Sequence, residues 1–303
     1  MAEDKIKEFC SVALQKYGNN THTTQLIRPF LKWAGGKSQL LPAIKKRLPL
    51  EFSTYYEPFL GGGAVFFYLQ PSKAVVSDSN EELINVYLVI RDNIEELIND
   101  LKQHINSREY FYKMRELDRD KDRYAELSPV KRASRIIYLN KTCYNGLFRV
   151  NKSGEFNAPF GNYKKPQIVN EPVLRVVSSY LNNAELVIKC GDFEECLKNA
   201  QEGDFAYLDP PYFPLSNTAN FTGYDKGCFD ENSQVRLKKV CDELDERGVK
   251  FLLSNSKVDF IQSLYGRYIR EIITAKRAIN SRGDKRGEIE ELLIRNYELP
   301  DSS

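Results

Sequence analysis

The stretch Glu57-Pro58-Phe59-Leu60-Gly61-Gly62-Gly63 constrains this chain most, because it stands between a strand-like run and a helix-like one. Tyr55 and Tyr56 ahead of it read as a short strand, and Ala64-Val65-Phe66-Phe67-Tyr68-Leu69 behind it as a helix. Ala74-Val75-Val76-Ser77-Asp78 reads as a second strand ending on an acid, with a helical run over 81–93 after it. Together these make a β-α-β unit, which sets both strands parallel in an α/β domain. Glycines at such a turn let a ligand approach the backbone. They would equally serve tight packing of helix on strand, and this motif alone leaves both readings open.

The rest of the chain extends that unit. From Lys37, the apolar residues Leu40, Leu41, Ile44 and Leu48 follow helical spacing up to Pro49. From about 93 to 145 the pattern is helical, and one helix is bounded by Ser128 as N-cap, Pro129 at its first position and Gly146 past its end. Residues 147–158 read as a hairpin whose four-residue loop ends in Gly154. Strand signals return at 185–189, 204–208, 249–254, 269–274 and 289–297, with a helix near 233–247 closed by Gly248. The expected organisation is a polar extension over 1–24 and an α/β domain split into 25–85 and 181–303. A helical and β-hairpin insertion over 86–180 interrupts it.

Composition narrows the function classes. At 42% hydrophobic and 28% charged residues, the 303-residue chain is an ordinary globular one. No apolar run approaches the roughly 18 residues of a membrane span, and the charged N-terminal decapeptide lacks the apolar core of a signal peptide. A cytoplasmic protein with no membrane partner is expected. Two histidines (His22 and His104) and six cysteines without a C-x-x-C pair argue against zinc and dithiol chemistry, so no metal is expected and the thiols read as free. The net charge of +2 hides an asymmetry: residues 131–165 hold eight basic side chains against Glu155 alone, a local +7, leaving −5 for the rest. Lys276, Arg277, Arg282, Lys285 and Arg286 form a second basic group. Charge alone leaves a solvated face and a track for a polyanion both open.

Two motifs point to chemistry. The glycine turn lacks the third glycine of a dinucleotide fingerprint, because Phe66 stands there, and it carries no G-K-[ST] of a P-loop. A nucleoside without pyrophosphate, such as S-adenosylmethionine, fits it, with Asp78 placed for ribose hydroxyls. The second motif, Asp209-Pro210-Pro211-Tyr212, follows the strand 204–208, at the strand end where open parallel sheets bind ligands. A rigid turn would account for the prolines. Yet the Asp209 carboxylate and the Pro210 carbonyl suit the two N–H bonds of an adenine amine, whose lone pair is otherwise delocalised into the ring. Tyr212 suits stacking on a base that has left the duplex.

In order, Phe30-Leu31-Lys32-Trp33-Ala34-Gly35-Gly36-Lys37, the glycine turn, Val75-Val76-Ser77-Asp78-Ser79-Asn80, residues 144–163 and the Asp209–Tyr212 motif resemble the Dam family of DNA adenine-N6 methyltransferases, the D12 class with alpha-type motif order. The likeness runs from about 28 to 297 and is nearest to Dam-like enzymes that modify GATC in bacterial restriction-modification systems. It implies an S-adenosylmethionine-dependent methyltransferase with a Rossmann-like sheet, a target recognition insertion, and direct transfer to N6 of a flipped adenine in double-stranded DNA. By matching positions it implies Trp33, Lys37, Phe59, Gly61, Gly63, Asp78, Asp192, Phe193 and Asp209 at the cofactor, and Asp209, Pro210 and Tyr212 at the reacting amine. It likewise implies Lys32, Leu147, Arg149, Pro159 and Tyr163 at the DNA, and a possible cognate restriction endonuclease as partner. Arg149 could offer a bidentate fork to guanine and Pro159 an apolar face to a thymine methyl. Without the resemblance, a phosphate contact or a surface ion pair would be the plainer reading of Arg149. Tyr144 and Phe148 read as packing. The rivals are amino methylation of cytosine N4, RNA adenine or a protein amide, a DNA-binding relative without catalysis, and a nicotinamide-dependent dehydrogenase.

Overall fold

The computed structural model describes residues 27–214, 229–276 and 288–299. The expected extension over 1–24 lies outside them, as does the second basic group apart from the Lys276 backbone. In chain order the elements are α1 (Leu41–Lys45), β1 (Tyr55–Glu57), α2 (Ala64–Leu69), β2 (Lys73–Asp78), α3 (Glu81–Asp92), α4 (Ile94–Leu101), α5 (Arg108–Glu116), α6 (Lys121–Ala125) and α7 (Pro129–Thr142). Then follow α8 (Glu171–Asn183), β3 (Glu185–Cys190), α9 (Phe193–Leu197), β4 (Phe205–Leu208), α10 (Glu231–Glu246), β5 (Lys250–Ser256), α11 (Asp259–Leu264), β6 (Ile269–Lys276) and β7 (Glu288–Arg295).

The strands form one seven-stranded sheet in the order β3-β2-β1-β4-β5-β7-β6. The first five run parallel, and β7 slots antiparallel between β5 and β6. Side chains alternate across it: Tyr55, Phe205, Tyr207 and Leu252 enter one apolar layer, while Tyr56, Ala206, Leu208, Phe251 and Leu253 enter the other. The first layer is closed by α1–α3 and α8, the second by α9–α11. From β1 the chain winds outward to β2 and β3, and from β4 outward to β5. The gap above β1 and β4 is therefore the topological switch point, where ligands of such sheets bind.

The connection from β2 to β3 carries α3–α8 and the hairpin. Its buried residues, including Phe111, Ile136, Tyr138 and Phe156, share one continuous core with β1 and β2.

Two local expectations differ from what is observed. The run from Lys37 splits into a 3-10 turn, Lys37–Gln39, and the short α1, with Pro42 in its first turn. The helix capped by Ser128 does begin at Pro129, Ser128 accepting from the Lys131 amide at 3.3 Å, but it ends at Thr142. Cys143 turns extended, Asn145 takes φ 59°, and Gly146 closes a separate 3-10 turn. The hairpin forms as expected: Val150 bridges Phe156, and Gly154 sits at φ 74° in its loop.

Candidate active site

Two loops meet at the switch point. The one after β1 is the glycine turn, held by Asp78 at the end of β2: Oδ2 accepts from the Gly61 amide and Oδ1 from the Asn80 amide, each at 2.9 Å. Gly61 and Gly63 take φ 48° and 67°, a region that side chains enter at a cost. A Cβ on Gly61 would lie 3.0 Å from the Trp33 ring, and one on Gly63 2.7 Å from the Tyr87 hydroxyl. That hydroxyl also donates to the Gly61 carbonyl at 3.0 Å. The glycines thus do serve close packing, with the turn pressed against Trp33, and Trp33 in turn stacks on Phe148 at 4.7 Å. Gly63→Ala is expected to lower stability by about 1–3 kcal/mol, read from the midpoint of urea unfolding.

The loop after β4 begins with Asp209. Its Oδ1 pairs with the Lys37 ammonium at 2.7 Å and accepts from the Ser254 hydroxyl at 3.1 Å. The Lys37 side chain is 6% exposed and also donates to the Gly35 carbonyl at 2.8 Å, so the 3-10 turn that starts at Lys37 folds its amine inward. The Lys37 nitrogen lies 4.6 Å from the centre of the Tyr212 ring. Burial raises the Asp209 carboxyl above the usual aspartate range, against the Lys37 charge and the Lys37 and Ser254 hydrogen bonds, which lower it. Glu57, buried at the end of β1, is also pushed up, first by burial and then by the nearby Asp209 and Asp78 charges, while the Tyr55 hydroxyl opposes this by donating to it at 2.6 Å. Asp78 and Asp209 give this crevice its negative charge, part of it offset by Lys37.

A lattice of hydrogen bonds fixes the loop. The Gln234 amide donates to the Pro211 carbonyl at 3.1 Å, the Phe213 amide to Asn255 Oδ1 at 3.3 Å, and the Ser256 hydroxyl to the Phe213 carbonyl at 2.7 Å. Among the described residues, neither Asp209 Oδ2 nor the Pro210 carbonyl accepts a hydrogen bond. Phe59 packs on Phe193 at 5.5 Å, beside Asp192, whose carboxylate caps α9 and pairs with Arg236 at 3.1 Å.

The insertion brings its expected residues onto neighbouring loops. A Cβ on Gly146 would lie 3.0 Å from the Lys32 side chain. The Tyr144 amide donates to the Pro159 carbonyl at 2.8 Å, and the Asn145 amide to the Tyr163 hydroxyl at 3.0 Å. Arg149 donates from Nε and Nη2 to Asn157 across the hairpin at 2.7 and 3.0 Å, which leaves its outer edge, at Nη1, without a hydrogen bond among the described residues. Lys32, Arg149, Pro159 and Tyr163 are exposed and Leu147 half-buried. Phe148 packs as expected, but Tyr144 does not: it is 55% exposed.

Apart from half-buried Lys141, the basic run divides in two. Arg132 is spent on Glu81 and Glu82, and Arg135 on buried Asp118 and the Met114 and Arg115 carbonyls. Lys131, Arg149, Lys152, Lys164 and Lys165 remain exposed. Of the cysteines, Cys143, Cys196 and Cys241 are buried free thiols and Cys190 is exposed; burial pushes Cys143 up to about 12. Cys10 and Cys228 lie outside the described residues. Within those residues, no group of three His, Cys, Asp or Glu side chains could hold a metal ion, and no helix is long and apolar enough to cross a membrane.

The sequence reading missed Ser254, Gln234, Asn255, Arg236 and Glu291, which come from strands and helices far along the chain. Their only signal was position: Ser254, Asn255 and Ser256 are polar residues ending an apolar strand.

The sheet order, with an acidic crevice at its switch point, defines the fold of an S-adenosylmethionine-dependent methyltransferase. The chain belongs to the D12 class of N6 adenine-specific DNA methyltransferases, whose family model matches residues 33–279. It is 46% identical over 273 residues to the type II methyltransferase M1.LlaDCHI of Lactococcus lactis subsp. cremoris, covering 89% of this chain and 96% of that relative. It is 45% identical over 291 residues to the type II methyltransferase M.MjaIII of Methanocaldococcus jannaschii, covering 89% and 99%. With the DNA adenine methylase of Escherichia coli K12 it shares 35% over 271 residues, covering 88% and 94%. It is a DNA adenine-N6 methyltransferase.

Proposed function

We propose that the crevice between β1 and β4 methylates a flipped adenine of double-stranded DNA, and that the target sequence is GATC. The observation that carries the reading is the pair of adjacent acceptors, Asp209 Oδ2 and the Pro210 carbonyl, which no described residue engages, on a loop locked from three sides. An adenine amine donating to both would have its lone pair drawn out of conjugation and aimed away from the loop. Lys37 keeps Asp209 charged and in place, and Tyr212 offers the stacking surface, worth about 1–3 kcal/mol per base.

When bound, S-adenosylmethionine supplies an electrophilic methyl group on a cationic sulfonium. The acidic character of the crevice fits that cation. Trp33, Lys37, Phe59, Gly61, Gly63, Asp78, Asp192, Phe193 and Asp209 would hold it: Asp78 at the ribose, Phe59 and Phe193 at the adenine ring, and the glycine turn beneath the nucleoside.

The insertion over 86–180 is the recognition unit of this reading, set between the catalytic portions 25–85 and 181–303. Lys32, Leu147, Arg149, Pro159 and Tyr163 present base-reading groups, with the outer edge of Arg149 suited to guanine O6 and N7. The exposed lysines neighbouring them, Lys152, Lys164 and Lys165, supply phosphate contacts. The type II names of two relatives favour a restriction-modification system with a cognate endonuclease, acting on DNA in the cytoplasm.

Expression in a host lacking adenine methylation, followed by sequencing of modified bases, tests the target. Methyladenine confined to GATC is the expected pattern, and modification centred on another motif would contradict it. Arg149→Ala is expected to relax discrimination at one base pair by about 1–3 kcal/mol. Competition between GATC and single-substitution duplexes measures that, and DNA affinity in the wild type should weaken as salt rises.

A further inference from the structure

We infer that Glu291 is a positioning residue for the target base: it sets the plane of the Tyr212 ring on which the flipped adenine stacks. The inference rests on Tyr212 being that stacking surface. Glu291 lies on β7, paired opposite Ser256 of β5, and its half-buried carboxylate accepts the Tyr212 phenol at 2.5 Å. The backbone on either side of Tyr212 is already fixed, through Gln234 on the Pro211 carbonyl and through Asn255 and Ser256 on Phe213. What those bonds cannot fix is rotation of the Tyr212 side chain about its own bonds.

Two contacts remain to do so. Lys37 sits 4.6 Å from the centre of the ring and steadies its face, while Glu291 anchors its far end. A hydrogen bond from a hydroxyl to an ionised carboxylate is roughly twice as strong as a neutral one, so an acid at this position locks the ring better than an amide or hydroxyl would. A ring held before the base arrives has already met the ordering cost that stacking would otherwise incur. The neighbour Glu290 provides the contrast. It is exposed and pairs with Lys257 at 2.8 Å.

The test uses the full-length enzyme and duplex DNA in two forms. One carries the natural target adenine for single-turnover methyl transfer, and the other carries 2-fluoroadenine there, whose fluorine NMR signal separates base held in the duplex from flipped base. Glu291→Ala is expected to lower both readouts by about ten- to hundredfold in rate or flipped population, the span of a lost charge-assisted bond. Glu291→Gln, which keeps an acceptor, should recover most of the loss, and Glu290→Ala should leave both readouts unchanged. In a Tyr212→Phe background there is no phenol to anchor, so adding Glu291→Ala should cost less than about twofold. An undiminished effect of Glu291→Ala in that background would overturn the inference, as would wild-type flipping in Glu291→Ala alone. If Tyr212→Ala flips and methylates normally, the stacking role of Tyr212 falls and the inference with it. A Tyr212→Ala defect beside a silent Glu291→Ala would sink the inference alone.

Discussion

Asp209→Asn should lower the single-turnover rate of methyl transfer by about a thousandfold while leaving a folded protein that still binds DNA. The amide keeps the shape of the side chain, and its oxygen can still accept from Lys37 and Ser254, the partners of Asp209 Oδ1 at 2.7 and 3.1 Å. What replaces Oδ2 is an amide N–H, which would face the N–H of the target amine donor to donor. The lone pair then stays in the ring and nucleophilicity is lost. Asp209→Ala is the less informative variant, because it strands the buried Lys37 ammonium without its partner, a defect of about 3–5 kcal/mol for a broken buried pair. The pH dependence follows the same logic. Protonation takes the charge from the acceptor and turns one oxygen into a donor, and burial has raised the Asp209 carboxyl above the usual aspartate range. As pH falls, activity should therefore fail at a higher pH than an exposed aspartate would dictate, on an acid limb that a rate–pH profile in the wild type would show.

Asp118→Ala should cost about 3–5 kcal/mol of stability, the range for removing one member of a buried ion pair. Asp118 sits 2.9 Å from Arg135, whose side chain is 3% exposed, and it also pairs with Arg119 at 2.5 Å. Its second role is in the hairpin: Oδ2 accepts the Phe156 amide at 2.8 Å, while Arg119 donates to the Phe156 carbonyl at 2.8 Å. Both backbone groups of Phe156 are thus clamped directly across from Val150, next to Arg149. Removing the carboxylate leaves a buried arginine uncompensated and loosens the hairpin that presents Arg149. Urea unfolding should show the loss, and discrimination between the proposed GATC target and altered duplexes should decline more than affinity for S-adenosylmethionine. Equal loss of both would mean that the clamp serves the whole fold rather than recognition.

The sequence revealed the β-α-β unit because its chemistry is local: a short strand, a glycine turn, a helix, and a second strand closed by an acid. Asp78 illustrates the limit of that reading. Its place at a strand end was legible, but its hold on the Gly61 and Asn80 amides depends on the turn's conformation. The contacts that build the rest of the site are non-local. Lys37 meets Asp209 only because the sheet order sets β4 beside β1, and Glu291 meets Tyr212 only because β7 inserts between β5 and β6. Neither pairing leaves a periodic trace. Charge misled in the same way, since Arg132 and Arg135 look identical in sequence to the exposed Arg149 and Lys152 but are consumed inside the fold. Tyr144 reads as packing in the sequence because nothing around it marks it for another role. The extended turn at Cys143 instead projects it outward.

The central claim is that the Asp209 crevice is where adenine N6 receives its methyl group. Mass-spectrometric counting of N6-methyladenine answers it, in DNA from a host without adenine methylation that makes either the wild-type chain or Asp209→Asn at equal levels. Abundant N6-methyladenine with the wild type and background levels with the variant are expected. Methylation that persists undiminished in Asp209→Asn would contradict the account.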